Sequence, residues 1–269
     1  MPITRIILLS VCVSVLYSCV PSQQQTGDSS APSYDREFYQ IISYTFGTEE
    51  QVLATDNYLR DALVPALKRQ GIEKVGVFKQ YPNEDDSLKR TFILIPMKSP
   101  GQYYQLEAAL SSDSAYSAEG ADYLQARYDQ APFIRKEYTL LKAFKDMPFM
   151  ATPKLEGPRA ERIYELRSYE SATEAIFQNK VQMFNEGGEV KLFDDLGFNA
   201  VFYGEVIAGS KMPNLMYMTT HENQEARDAN WKSFVDSPVW ENLKTDPQYQ
   251  NNVSHIDIYF LYPTQYSDY

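Results

Sequence analysis

Two short runs alternate apolar and polar positions in the same way: Phe38-Tyr39-Gln40-Ile41 and Ile163-Tyr164-Glu165-Leu166. Alternation of this kind predicts half-buried strands. A helix-starting signal follows each, Thr48-Glu49-Glu50 in the first copy and Ser171-Ala172-Thr173-Glu174 in the second. The second has the Ser-x-x-Glu spacing of a capping box, which satisfies free N–H groups at a helix start. Apolar residues then recur at helical spacing: Val52, Leu59, Leu63 and Leu67 in one copy; Ile176, Met183 and Phe184, with Lys180 among them, in the other. Gly187-Gly188 should break or kink the second helix.

The parallel continues. Gly71-Ile72-Glu73-Lys74-Val75-Gly76-Val77-Phe78 matches Gly197-Phe198-Asn199-Ala200-Val201-Phe202-Tyr203-Gly204, and in each the Gly is read as stopping the helix and beginning a second strand. Gly71 lies 32 residues after Tyr39, and Gly197 lies 33 after Tyr164. Turn signals around Pro82-Asn83 and Pro213-Asn214 lead to third strands at 91–95 and 215–219. A second helical region and a fourth strand close each copy, at 133–138 and 255–260. The order β-α-β-β-α-β is ferredoxin-like, and helices on one face of such a sheet leave the other face to be buried. An α+β fold is therefore expected, with two tandem ferredoxin-like units packed sheet-to-sheet, each supplying half of an intrachain barrel. The units are placed at 36–145 and 161–265, joined by a Pro-bearing linker at 146–160.

The first 18 residues read as a signal peptide: Arg5, an apolar run from Ile6 to Leu16, then Leu16-Tyr17-Ser18-Cys19. That run is too short to span a bilayer. The last four residues resemble a bacterial lipobox, making Cys19 a lipidation site and residues 19–35, rich in Ser, Gln and Pro, a flexible tether. Cys12 falls inside the signal, so the mature chain keeps one thiol and no internal disulfide. A lipid on Cys19 would place the protein in the bacterial cell envelope, facing the periplasm from the outer membrane. The net charge of −11 repels phosphate backbones and anionic headgroups, so no nucleic-acid partner is expected and membrane attachment rests on the lipid.

The second copy resembles the NIPSNAP family of the dimeric α+β barrel superfamily. The resemblance rests on Tyr164-Glu165-Leu166-Arg167-Ser168-Tyr169, on Gly197-Phe198, and on Arg227-Asp228-Ala229-Asn230-Trp231 followed by Asp236-Ser237-Pro238-Val239-Trp240, with Ser237 inserted after the Asp. It covers residues 161–262. Copy one departs from it, with 111–132 in place of the Trp-bearing helix. The resemblance implies the fold and a cavity between the two sheets. It brings no agreed reaction, although other members of the superfamily are monooxygenases and small isomerases.

Strand alternation supplies the candidate chemistry. Glu165, Arg167 and Tyr169 share one face of their strand, and His255, Asp257 and Tyr259 share one face of theirs. With Ile256, Ile258 and Phe260 turned to the helices, both sets are expected on the cavity face. His255 would act as acid or base there, with Asp257 and Glu165 beside it, and Arg167 would hold a carboxylate or enolate. The ligand-binding set is then Arg167, Tyr169, His255 and Tyr259, around a small apolar or aromatic molecule. The structural alternative is that Arg167 pairs with Glu165 or Asp257 and keeps the sheets in register. His221 reads as a capping or surface residue, and Trp231 and Trp240 as core anchors or a cover for the cavity mouth. Two histidines 34 positions apart, without CxxC or HxxxH spacing, give no metal site, and no motif calls for a cofactor. Three functions stay open: a non-catalytic or ligand-binding module, a cavity enzyme, and a structural envelope protein docking an envelope partner or a second copy of itself.

Overall fold

The computed structural model describes residues 34–84 and 86–269. The expected signal segment, Cys19 and nearly all of the tether lie outside them. Eight strands run in chain order: β1 Phe38–Phe46, β2 Gly76–Gln80, β3 Lys89–Met97, β4 Arg135–Ala143, β5 Ile163–Glu170, β6 Phe202–Ala208, β7 Asn214–His221 and β8 His255–Pro263. The first unit carries helices α1 Glu49–Tyr58, α2 Val64–Arg69, α3 Gln102–Ser112, α4 Ser114–Glu119 and α5 Ala121–Leu124. A π-helical turn, Leu59–Leu63, joins α1 to α2. The second unit carries α6 Glu174–Phe184, α7 Glu189–Asp195, α8 Gln224–Val235 and α9 Pro238–Thr245.

All strand pairs are antiparallel, and the sheet closes in the order β1-β3-β2-β8-β5-β7-β6-β4. Each unit contributes its own ferredoxin-like four, β4-β1-β3-β2 and β8-β5-β7-β6. The free edge of one unit meets the free edge of the other at β2–β8 and at β4–β6. This is a dimeric α+β barrel closed within one chain, and it removes the open edges that separate half-barrels would expose.

Local chemistry shifts several expected boundaries. Gly71 and Gly197 stop their helices as expected, in the left-handed conformation at φ of 80° and 74°, but they do not open the strands: β2 and β6 begin five residues later. Thr173, rather than Ser171, caps α6 by accepting from the Ile176 N–H, while the Ser171 hydroxyl donates to the Asn252 carbonyl. Gly188 does separate α6 from α7. Among the described residues, no helix is long and apolar enough to cross a membrane.

Three apolar clusters follow from the closure. Barrel-facing residues, among them Tyr39, Phe78, Phe92, Tyr164, Phe202, Met216, Met218 and Tyr269, pack the space between the sheets. A second cluster lies between the first unit's sheet and its helices, and a third, dominated by aromatic rings, does the same in the second unit.

Candidate functional site

The register of β5 against β8 decides where the expected site residues point. Glu165, Arg167 and Tyr169 stand opposite Phe260, Ile258 and Ile256, whereas Leu166, Ser168 and Glu170 stand opposite Tyr259, Asp257 and His255. Directly opposed side chains share a face. Tyr164, Leu166 and Leu261 belong to the barrel cluster, with Tyr259 packed against it, and Tyr169 belongs to the helix-side cluster. The face expected for His255, Asp257 and Tyr259 is therefore the observed one. Glu165, Arg167 and Tyr169 lie on the opposite, helix side, which corrects the expectation of one common cavity face. With the barrel-facing positions filled by Tyr164, Leu166 and their neighbours, the space once expected to be a cavity is a packed core.

On the helix side Glu165 is fully buried and surrounded by donors. Arg167 Nε donates to its Oε1 at 2.7 Å, Arg227 Nε to its Oε2 at 2.8 Å, and Trp231 Nε1 to Oε2 at 2.9 Å. Burial alone would raise the carboxyl's pKa. The hydrogen bond from Arg227 and the charges of Arg167 and Arg227 outweigh burial and hold it below the usual range. The Arg167 guanidinium stacks on Trp231 at 3.8 Å and donates to the Tyr169 hydroxyl, which is 2.8 Å from that of Tyr217. Arg227 and Trp231 come from one face of α8, four residues apart, so the network fastens that helix to the sheet. Trp231 and Trp240 pack among the rings of this layer, as anchors. The expected pairing of Arg167 with Glu165 is present; pairing with Asp257 is excluded by the face.

His221 ends β7 beside this network and is buried, not a capping or surface residue; Asn223 caps α8 instead. Its Nδ1 lies 3.2 Å from the Asn230 amide, its ring meets Phe198 edge-on, and its Nε2 has no partner among the described residues. Burial pushes its pKa down to about 4. It is neutral at physiological pH.

At the barrel rim, His255 Nε2 sits 3.2 Å from Asp257 Oδ1, and the Lys211 ammonium pairs with Asp257. Burial opposes the charged form of Asp257, but Lys211 and His255 prevail and hold its pKa below the ordinary value. Glu170 joins them: ligand atoms of Glu170, His255 and Asp257 lie within 4.8 Å of one another. These three could hold a metal ion, a grouping that sequence spacing does not reveal because it is made across β5 and β8. Lys211 already supplies a cation at that position.

The first unit's helix–sheet layer differs. Between β1, β3 and β4 on one side and α1 to α4 on the other is a cavity of about 70 Å³. Its lining mixes Ile42, Leu63, Ile95 and Leu106 with Gln40, Tyr103, Glu107, Lys136 and Tyr138. Sequence reasoning missed it, finding in 111–132 only a departure from the Trp-bearing helix of the second copy. In that stretch Tyr116 and Tyr123 pair with Tyr58 and Tyr44 through hydroxyls at 2.7 and 3.0 Å. Four tyrosines meeting from separate elements were the available signal. Larger clefts open on the surface, such as one of about 560 Å³ over Asp56, Arg60 and Lys79, but there Lys79 is paired with Asp56 and Arg60 with Asp61.

Residues 164–268 match the NIPSNAP family. The NIPSNAP stretch is thus the second unit, as its motifs suggested, with Arg227 and Trp231 serving the buried network. No curated protein matches the chain. Among solved structures, a candidate monooxygenase of Fusobacterium nucleatum superimposes with a TM-score of 0.55 at 9% identity, covering 86% of this chain and 93% of its own. A candidate monooxygenase of Lactobacillus acidophilus gives 0.53 at 10% identity, covering 85% and 94%. An anthrone oxidase-like protein gives 0.52 at 10%, covering 87% and 94%. These similarities establish the barrel fold and extend it beyond the NIPSNAP stretch to both units.

Proposed function

We propose that this protein is a small-molecule-binding module of the bacterial cell envelope, anchored by lipid on Cys19, whose ligand lies between the sheet and helices of the first unit. The observation that carries this reading is the contrast among the layers. The space between the sheets is packed, the helix layer of the second unit is tied shut around Glu165, and the first unit's helix layer keeps a cavity with mixed polar and apolar walls. Such walls suit a ligand of a few heavy atoms with an apolar part and one polar end, since a space of about 70 Å³ is smaller than an aromatic ring needs. The NIPSNAP match and the barrel fold are in keeping with a binding role. Glu165, Arg167 and Tyr169 then act as holding groups in the second unit, and His255, Asp257 and Tyr259 belong to the rim.

The test is native mass spectrometry of the full chain, extracted in mild detergent from its own envelope. Retained extra mass is expected, lost when Leu110→Trp, on α3 in the cavity wall, fills the space, and kept in His255→Ala. A clean mass for the wild type, or retention by the filled variant, defeats the reading. Cys19→Ala should move the protein from the membrane to the soluble fraction; continued sedimentation with membranes would count against the lipid anchor.

A further inference from the structure

The cleft of about 560 Å³ lies where the two units and their linker meet. Asp56 comes from α1, Arg60 from the π-helical turn and Lys79 from β2, while Arg159 comes from the linker. Tyr262 comes from β8 and stands opposite Lys79 across the β2–β8 seam. Ligand sites form preferentially at such junctions, in pockets of about 300–1,000 Å³.

Its three cations are not equivalent. Lys79 is 3.1 Å from Asp56, and the Arg60 guanidinium donates twice to Asp61, so those two charges are already answered. Arg159 has no carboxylate partner among the described residues. Its Nη2 donates to the carbonyls of Thr264 at 2.8 Å and Ser267 at 2.6 Å, which fixes the guanidinium against the segment that follows β8. Nη1 and Nε are left over, and Nε is sealed from water without a partner. Thr264 lines the same cleft, is 7% exposed, and its Oγ1 is also buried and unpartnered. Buried polar atoms in folded proteins ordinarily have partners, so two orphans in one cleft wall point to a ligand.

We infer that this cleft binds an aromatic monocarboxylate, its carboxylate on Arg159 and its ring against Tyr81, Tyr262 and Tyr266. The site is separate from the cavity of the first unit, and neither depends on the other. One unanswered positive charge calls for one negative group, and a guanidinium donates strongly to a carboxylate. The rings call for an aromatic body. Tyr81 and Tyr262 lie 4.9 Å apart with their planes at 55°, and Tyr266 is held beside them by its hydroxyl on Asp56. The volume, eight times that of the inner cavity, has room for such a body. A net charge of −11 turns anions away from most of the surface, which leaves this cleft as a place where one is drawn in.

The experiment is an NMR titration of the full chain with benzoate and with benzamide, its neutral isostere, following the backbone amides of Gln265 and Tyr266. Benzoate should bind about tenfold more tightly, as expected for a charge-assisted hydrogen bond. That preference should vanish in Arg159→Gln and widen in Asp56→Asn, which releases Lys79 from its carboxylate. Tyr262→Leu should weaken both probes by a similar factor and leave the preference in place. Arg159→Gln also removes two bonds to the segment after β8, so the charge is tested in the unaltered chain too: raising salt from about 50 to about 500 mM should narrow the preference. Equal binding of the two probes, a preference that survives Arg159→Gln, or one indifferent to salt overturns the inference. Unmoved Gln265 and Tyr266 signals with both probes overturn it as well, and leave the reading of the first unit's cavity standing.

Discussion

The residue most exposed to a test by acid is His221. Its ring is 1% exposed, so the imidazolium would be charged inside a layer that already holds Arg167 and Arg227. Its folded pKa, about 4, lies below the unfolded value of 6.5. The unfolded chain therefore binds the proton first. The associated stability is full above pH 6.5 and is lost as pH falls from there to about 4. The shift corresponds to about 3 kcal/mol. Urea unfolding of wild type and His221→Phe across this range should give curves that diverge by roughly that amount, because phenylalanine cannot take up the proton. Parallel curves would mean that the ring is hydrated or paired in the folded protein. Nothing in the local sequence announced this environment: His221-Glu222-Asn223 reads as a polar lead-in to a helix, and only the pairing of β7 with β5 turns the first of the three inward.

Elements were legible where two signals agreed. The repeated strand and helix patterns, and the near-equal spacing from Tyr39 to Gly71 and from Tyr164 to Gly197, specify the order of elements without any long-range information. The face of β5 was not legible. Both of its sets are buried, one as Tyr164, Leu166 and Ser168, the other as Glu165, Arg167 and Tyr169, so alternation supplies a parity without a direction. The deciding partner is α8, whose own buried apolar contribution is Phe234 and which is held by Arg227 and Trp231 on Glu165. A helix docked largely through polar groups should fail when their shared acceptor is removed. Glu165→Ala is expected to cost about 3–5 kcal/mol by leaving two guanidinium groups without their carboxylate. Replacing the set together, as Glu165→Leu with Arg167→Met and Arg227→Met, should recover most of that loss in the same urea experiment. If the single change costs less than about 1 kcal/mol, water reaches the network and the clamp is loose.

At the scale of the molecule, closure is uneven. β1 pairs with β3 and β4 along nearly its full length, while β2 and β8 meet over Phe78, Lys79 and Gln80 opposite Pro263, Tyr262 and Leu261. The following segment straps this short seam. The Thr264 N–H donates to the Val77 carbonyl at 2.9 Å, the Val77 N–H to Ser267 Oγ at 3.0 Å, and the Val75 N–H to Asp268 Oδ2 at 2.8 Å. Lys68 pairs with Asp268 at 2.6 Å, and Tyr269 is buried against Phe78 inside the barrel. Two side chains thus satisfy amides that the edge of β2 would otherwise leave open. In Ser267→Ala/Asp268→Ala those acceptors are gone, each worth about 1 kcal/mol. Hydrogen exchange at Val75 and Val77 should then quicken on the order of tenfold, while amides between β1 and β3 and between β5 and β7 keep their protection. Local quickening would make β2–β8 the seam at which the two units part, since each unit's own sheet stays paired. An equal quickening at all sites would instead mean that the strap sustains the barrel as a whole, and that neither unit is stable once the other has let go.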